Sequence, residues 1–179
     1  MTLEQNDFYI LPIAEKYAWR ICDFCTANAE RLKRFFPITL QQNLTPDLSK
    51  IFVAQKVKEF TEKQEFLFVM KGKENHNVIG LVYIKELDWT KKQGELAYAI
   101  GYQYVGKGYT TESVHLLSTY AINVLGLKTL QIIAHKTNKA SIGVAEKCGY
   151  RWKATLMKSW TPPHENPMDM ELYELDYEN

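Results

Sequence analysis

Three glycines set between an apolar run and a helical pattern are where this chain could do chemistry. Residues 94–112 read GELAYAIGYQYVGKGYTTE. Leu96 to Ile100 form an alternating apolar segment, the pattern of a strand. Gly101, Gly106 and Gly108 then crowd a short turn, and a helical pattern opens with Thr110, Thr111 and Glu112. A strand, a glycine loop and a helix N-terminus together make an anion site. Backbone N–H groups converge there, and the helix dipole adds about half a positive charge. Glycine lets a ligand approach the backbone closely and tolerates φ > 0. The stretch is expected to cradle a pyrophosphate. It is not a nucleoside-triphosphate loop, because no GxxxxGK followed by Ser or Thr occurs, and the dinucleotide pattern GxGxxG is absent too.

Glu95-Leu96-Ala97-Tyr98, followed by Tyr104-Val105-Gly106-Lys107-Gly108-Tyr109-Thr110-Thr111-Glu112, resembles the acetyl-CoA loop of the GNAT acetyltransferases. The likeness is to the branch of ribosomal-protein N-terminal acetyltransferases (RimJ/RimL-like). The family's loop is written Q/R-x-x-G-x-G/A. In this alignment Val105 stands where the wider family has Gln or Arg, and Thr110 where it has Gly or Ala. A second frame, beginning at Gln103, fits the pattern literally but is shifted by two residues; the flanking residues favour the first. A second motif lies about 30 residues further on. Asn138, Ser141, Glu146, Lys147, Gly149 and Tyr150 fall on the family's NxxSxxxxEKxGF/Y segment.

The resemblance implies a fold and a set of roles. The fold is α+β in three layers. It has a mixed, mostly antiparallel twisted sheet with a central splayed parallel strand pair and flanking helices, in one domain spanning residues 1–179. Acetyl-CoA is the implied cosubstrate. Its pyrophosphate would meet the backbone of Val105, Gly106, Lys107, Gly108, Tyr109 and Thr110. Its pantetheine arm would pair along Ile100, Gly101 and Tyr102 as an added strand does, with Asn138 and Ser141 also in contact. Lys107, Lys136 and Lys139 are candidates for the phosphates, although loop lysines are commonly just solvated.

The implied reaction is attack of a neutral amine on a thioester. Glu95 is the candidate base, in phase with Ala97 and Ala99 on the central strand; the position also suits a structural glutamate paired with a nearby cation. Ser141 is the candidate acid for the leaving thiolate. Many family members place a tyrosine three or four residues later, where this chain has Val144 and Ala145. A backbone N–H near Tyr98–Ile100 would polarise the thioester carbonyl. The acceptor is expected to be a protein or peptide N-terminal amine, against Phe35, Phe36 and Trp160. The alternatives are a small amine such as a polyamine or aminoglycoside, and a CoA-binding regulatory module without turnover.

Composition narrows the field. The chain has 179 residues, enough for a full core, and 46% are apolar. Charge is nearly balanced, 22 basic against 21 acidic, which gives no global reason to expect nucleic acid. No apolar run approaches the roughly 20 residues of a membrane helix, and the N-terminus lacks a signal-peptide pattern. A cytoplasmic monomer or homodimer is expected. The three cysteines, Cys22, Cys25 and Cys148, are too few for a disulfide framework. Both members of the Cys22/Cys25 pair fall on an apolar helix stripe. The histidines His76, His115, His135 and His164 form no metal-ligand pattern, so no metal is expected. His135 alone falls near the presumed cleft.

The element pattern completes the expectation. Strands are read at Phe8–Leu11, Phe66–Met70, Val78–Ile84, residues 95–101, Thr129–Ala134, Tyr150–Met157 and Met168–Leu175. In the last, Met168, Met170 and Leu172 alternate against Asp169, Glu171 and Tyr173. Helices are read over residues 13–30, from Pro46 to about Lys63, after the glycine loop, and over Asn138–Lys147. Thr45 and Asn138 are N-caps and Gly149 a C′ residue. Leu48, Phe52 and Phe60 are expected on the inner side of the second helix, and Val114, Leu117, Ala121 and Val124 on that of the third. Residues 38–45 read as a polar stretch. A strand, a helix and a strand from 95 to 134 imply parallel pairing.

Overall fold

Runs dense in β-branched and aromatic residues form the strands, and helices with one apolar stripe cover them. The computed structural model describes residues 2–177. Its elements are β1 (Leu3–Glu4), β2 (Phe8–Pro12), α1 (Ala18–Ala27), α2 (Ala29–Leu32), α3 (Pro37–Gln41), α4 (Pro46–Thr61), β3 (Phe66–Gly72), β4 (Val78–Asp88), β5 (Gln93–Ile100), α5 (Tyr109–Asn123), β6 (Thr129–Ala134), α6 (Lys139–Lys147), β7 (Arg151–Trp160) and β8 (Met168–Asp176). The strands follow the order β1-β2-β3-β4-β5-β6-β8-β7. Antiparallel pairing joins β1 to β2, β2 to β3, β6 to β8 and β7 to β8. Only β5 and β6 are paired parallel among these registers. The expected mixed, mostly antiparallel sheet with one parallel pair and flanking helices is borne out.

The chain divides into two compact units. The first comprises Met1–Tyr83 and Tyr98–Lys107. Its core holds Ile21 and Cys25 from α1, Val53 from α4, and Phe66 to Met70 of β3, all buried. Cys22 is buried too, as the apolar stripe requires. Thr45 accepts a hydrogen bond from the Leu48 N–H at 3.3 Å, and Pro46 follows it at the first helical position. The expected inner side of α4 needs correction. Leu48 is exposed, whereas Ser49, Phe52 and Val53 are buried. Phe60 packs edge-on against Phe66 and Phe68, with ring centroids 4.9 and 5.4 Å away.

The helix expected over residues 13–30 is a 3-10 turn at Glu15–Tyr17, then α1, then a break at Asn28 before α2. Residues 38–45 are not simply a polar connection. Pro37 starts α3, and the polar groups are buried in pairs. Thr39 Oγ1 lies 3.1 Å from the Tyr83 hydroxyl, Asn43 Nδ2 donates to the Thr39 carbonyl at 2.8 Å, and Ser49 Oγ donates to Asn43 Oδ1 at 2.7 Å. Satisfied in this way, polar side chains can be buried without a large penalty.

The second unit comprises Ile84–Ala97 and Gly108–Asn179. Gln93, Gly94 and Glu95 stand opposite Thr129, Leu130 and Gln131 in parallel register. Val114, Leu117 and Ala121 of α5 are fully buried, and burying one such Val or Leu side chain contributes about 1.5–3 kcal/mol. Val124 is not among them. The helix ends at Asn123, Val124 is its C-cap residue, and 66% of its surface is exposed. The Tyr150 hydroxyl, just before β7, lies 2.7 Å from Ser118 Oγ on α5. Strict alternation also fails in β8, where Met170 and Tyr173 are the buried residues. Burial raises the pKa of the Tyr173 phenol, and the charges of Glu146 and Glu171 add to the rise.

Candidate active site

The glycine loop is built from a strand end, a 3-10 turn and a helix start. In the first unit, β5 ends at Ile100, which is half-buried. The Gly101 N–H donates to the Ile79 carbonyl at 2.8 Å, and the Tyr104 N–H to the Gly101 carbonyl at 2.9 Å. Gly101 has φ −62, so it is not there for left-handed backbone. A Cβ at Gly101 would sit 3.3 Å from the Tyr104 ring and 3.4 Å from the Ile79 carbonyl, a crowded position. Tyr102–Tyr104 form the turn, and the Tyr102 N–H donates to Asn28 Oδ1 at 2.9 Å. Tyr102 and Val105 are exposed. Lys107 Nζ lies 5.3 Å from the centre of the Tyr104 ring.

Gly106 and Gly108 are different. Both have φ near +80, and a Cβ on either would meet nothing within 4 Å. Their glycine character therefore answers to backbone conformation, and the space beside them is open, as a bound anion requires. In the second unit, Gly108 is the N-cap of α5, and the Glu112 N–H closes the first turn on the Gly108 carbonyl at 3.0 Å. The N–H groups of Tyr109, Thr110 and Thr111 precede any i−4 carbonyl of their helix, the condition for anion binding at a helix start.

Asn138 and Ser141 are brought together. Asn138 caps α6, accepting the Ser141 N–H on Oδ1 at 3.2 Å, and Gly149 has φ +86 just beyond the helix. Ser141 is half-buried. His135 is engaged locally, its Nδ1 lying 2.7 Å from Thr137 Oγ1. Cys148 is buried, its thiol donating to the Thr111 carbonyl at 3.3 Å, and burial pushes its pKa up to about 11. That is packing, not nucleophile chemistry.

Glu95 stands on β5 opposite Gln131. Its side chain is 14% exposed, and its Oε1 lies 2.9 Å from Lys85 Nζ. Burial raises its pKa above the ordinary glutamate value; Lys85 acts against that rise, and Glu86 adds to it. Sequence reasoning missed Lys85, although a turn centred near residue 90 places 85 opposite 95. It also missed a polar row across the sheet. Gln93 donates to Gln131 at 3.2 Å, Gln131 donates to Glu174 at 2.9 Å, and Lys153 pairs with Glu174 at 3.0 Å. Among the described residues no cluster of His, Cys, Asp and Glu could hold a metal ion, and no helix is long and apolar enough to cross a membrane.

Residues 9–151 match a family described as an acetyltransferase (GNAT) domain. A curated relative, "Putative ribosomal N-acetyltransferase YdaF" of Bacillus subtilis (strain 168), is 31% identical over 74 residues, 41% of this chain and 40% of that protein. The aligned stretch is thus well under two thirds of that relative's length. Among solved structures, the ribosomal-protein-S5-alanine acetyltransferase from Vibrio fischeri is similar with a TM-score of 0.93 at 19% identity, over 100% of this chain and 98% of that one. RimL, a ribosomal L7/L12 alpha-N-protein acetyltransferase in complex with coenzyme A, is similar with a TM-score of 0.89 at 12% identity, over 98% of each chain. At such identities the likeness is one of fold.

Proposed function

Because the chain belongs to the GNAT acetyltransferase family, we propose that it transfers an acetyl group from acetyl-CoA to the N-terminal α-amine of a protein or peptide. The observation that carries the reading is the pair of left-handed glycines, Gly106 and Gly108, opening beside the start of α5. The names of the similar proteins, ribosomal-protein acetyltransferases, support the acceptor class. The reading takes residues 1–179 as one acetyltransferase domain, in a cytoplasmic protein.

Acetyl-CoA supplies an activated acetyl thioester and a pyrophosphate handle. The N–H groups from Gly106 to Thr110 hold the pyrophosphate; Gly108 as N-cap supports the loop frame that begins at Val105. The end of β5, Ile100 to Tyr102, and the cap of α6, Asn138, take the pantetheine amides. A backbone N–H near Tyr98–Ile100 donates to the thioester carbonyl as negative charge develops there.

The amine sets how much help is needed. A free α-amine has a pKa of about 7.7–8, and lysine about 10.4. At pH 7 roughly a tenth of the first is uncharged, against under about a thousandth of the second. Glu95, held in its ion pair with Lys85, receives the proton that the attacking amine loses, directly or through one water. The Ser141 hydroxyl, on the helix that Asn138 caps, donates to the thiolate as it leaves.

Calorimetric titration with acetyl-CoA tests the cradle directly. Saturable one-site binding is expected for the wild-type chain and none for Gly108→Glu, which puts charge and bulk into the cradle. Equal affinity in both would remove the loop assignment.

A further inference from the structure

We propose that Asn28 is a positioning residue for the glycine loop: its amide ties the loop's entry turn to the C-terminal end of α1. The inference rests on the reading of that loop as the acetyl-CoA cradle. Asn28 is 7% exposed, and both ends of its side chain are used. Nδ2 donates to the Phe24 carbonyl at 2.8 Å, and Oδ1 accepts the Tyr102 N–H at 2.9 Å. The partners fix the amide's orientation, since a carbonyl only accepts and a backbone N–H only donates. The residue's own N–H also bonds the Phe24 carbonyl, at 3.1 Å, where α1 stops. One side chain therefore ends the helix and starts the turn.

Three hydrogen bonds tie this turn to the rest of its unit. A cavity of about 170 Å³ beside it has Arg20, Asp23, Phe24, Asn28 and Asn77 in its lining, together with residues 101–104 of the turn. Tyr102 itself is exposed. The turn is held by Gly101 N–H on Ile79, Tyr102 N–H on Asn28, and the Tyr104 hydroxyl, which accepts from Asn75 Nδ2 at 3.2 Å. Four residues after Tyr102, Gly106 turns left-handed. A backbone cradle binds well only if its N–H groups are already aimed, because ordering a loop on binding costs affinity. Asn28 removes that cost by presetting the turn from a rigid helix end.

The test uses the full chain and acetyl-CoA as the probe, with three variants. Asn28→Ala is expected to raise the acetyl-CoA Kd, and its KM, about tenfold. The kcat at saturating acetyl-CoA should stay within about twofold of wild type. Asn28→Asp keeps the size and the acceptor but lacks the donor while ionised. Its affinity should lie between those of Asn28→Ala and the wild type, because the carboxylate still accepts the Tyr102 N–H but no longer donates to the Phe24 carbonyl. Asn43→Ala is the control: Asn43 is a fully buried asparagine of the same unit, donating to the residue four before it, and its side chain bonds to Thr39 and Ser49 rather than to the turn. It should lower Tm and leave the acetyl-CoA Kd unchanged. Wild-type affinity in Asn28→Ala, or equal weakening in Asn43→Ala, overturns the proposal while leaving the cradle in place. Failure of the wild-type chain to bind acetyl-CoA overturns the cradle reading itself.

Discussion

Lys85 Nζ lies 2.9 Å from Glu95 Oε1, joining two strands that run into the same turn. The pair is mostly sheltered from water, with 29% of the lysine and 14% of the glutamate side chain exposed. Burial outweighs the lysine, so the Glu95 carboxyl protonates above the ordinary glutamate range. A carboxylate tuned upward in this way is a better proton acceptor near neutral pH than a surface glutamate.

If Glu95 is the base, the rate falls as pH drops through its raised pKa. The acid limb of kcat/KM, expressed on the neutral form of the acceptor amine, should then lie above about 4.3, the unperturbed glutamate value. Glu95→Gln is expected to lower kcat by about 100-fold or more and to abolish that limb. Lys85→Met, which removes the opposing cation, should move the limb to still higher pH. A limb that persists unchanged in Glu95→Gln would assign the base elsewhere. The stability sign is opposite to that of a surface carboxylate. With a raised folded-state pKa, the favourable contribution is present below the unfolded value and lost as pH rises through the folded one. Glu95→Gln, neutral at all pH, is therefore expected not to lower Tm at neutral pH; a scanning calorimeter checks this.

Gly108 separates conformation from space. A Cβ there meets nothing within 4 Å, but φ is +83. Gly108→Ala should cost about 1–2 kcal/mol of backbone strain, which is roughly 2–8 °C in Tm for a chain of this size. Acetyl-CoA affinity should fall less than about tenfold. Thermal unfolding and titration, run side by side, distinguish this from Gly108→Glu. An alanine variant that loses all binding would mean the side chain itself enters the ligand's space.

Ser141 and Asn138 divide their tasks. Ser141→Ala leaves its backbone N–H on the Asn138 cap, so acetyl-CoA affinity should be retained while kcat drops about 10- to 100-fold. Asn138→Ala removes the cap, which should cost about 1 kcal/mol of stability and weaken acetyl-CoA binding as well. Steady-state kinetics with both substrates varied would show the two signatures. Full activity in Ser141→Ala would mean another acid or none.

The cysteines should be silent. Burial pushes Cys25 up to about 12 and Cys148 up to about 11, and Cys22 is buried beside Cys25. Only the thiolate reacts. Native protein at pH 8 should take up a thiol reagent slowly at all three sites, and react fully after unfolding in guanidinium. A fast-reacting thiol in the native protein would contradict the packing of α1 or of the α6 C-terminus.

Features written in local chemistry were legible in the sequence. Thr45-Pro46, Asn138 and Gly149 act on their own helix ends, and each is found as expected. Thr129–Ala134 is read to the residue, because a short apolar run is a short-range pattern. What escaped depends on partners far away in sequence. The buried polar pairs of α3 need Tyr83, 44 residues from Thr39. Asn28 needs Tyr102, 74 residues on. A signal for Asn28 did exist: with Ile21 and Cys25 it recurs at the spacing of a buried stripe, and a polar residue on such a stripe must be bonded. Val124 and Leu48 were assigned by helical phase alone, which fails where a helix is starting or stopping.

The most direct measurement is free-thiol release from acetyl-CoA over a panel of acceptors. The panel would hold a peptide with a free α-amine, the same peptide N-terminally blocked but carrying an internal lysine, and a polyamine. The account predicts turnover with the free α-amine and an acetyl group on that nitrogen by mass spectrometry. Turnover confined to the lysine peptide or the polyamine, or acetyl-CoA binding with no turnover on any free N-terminus, would contradict it.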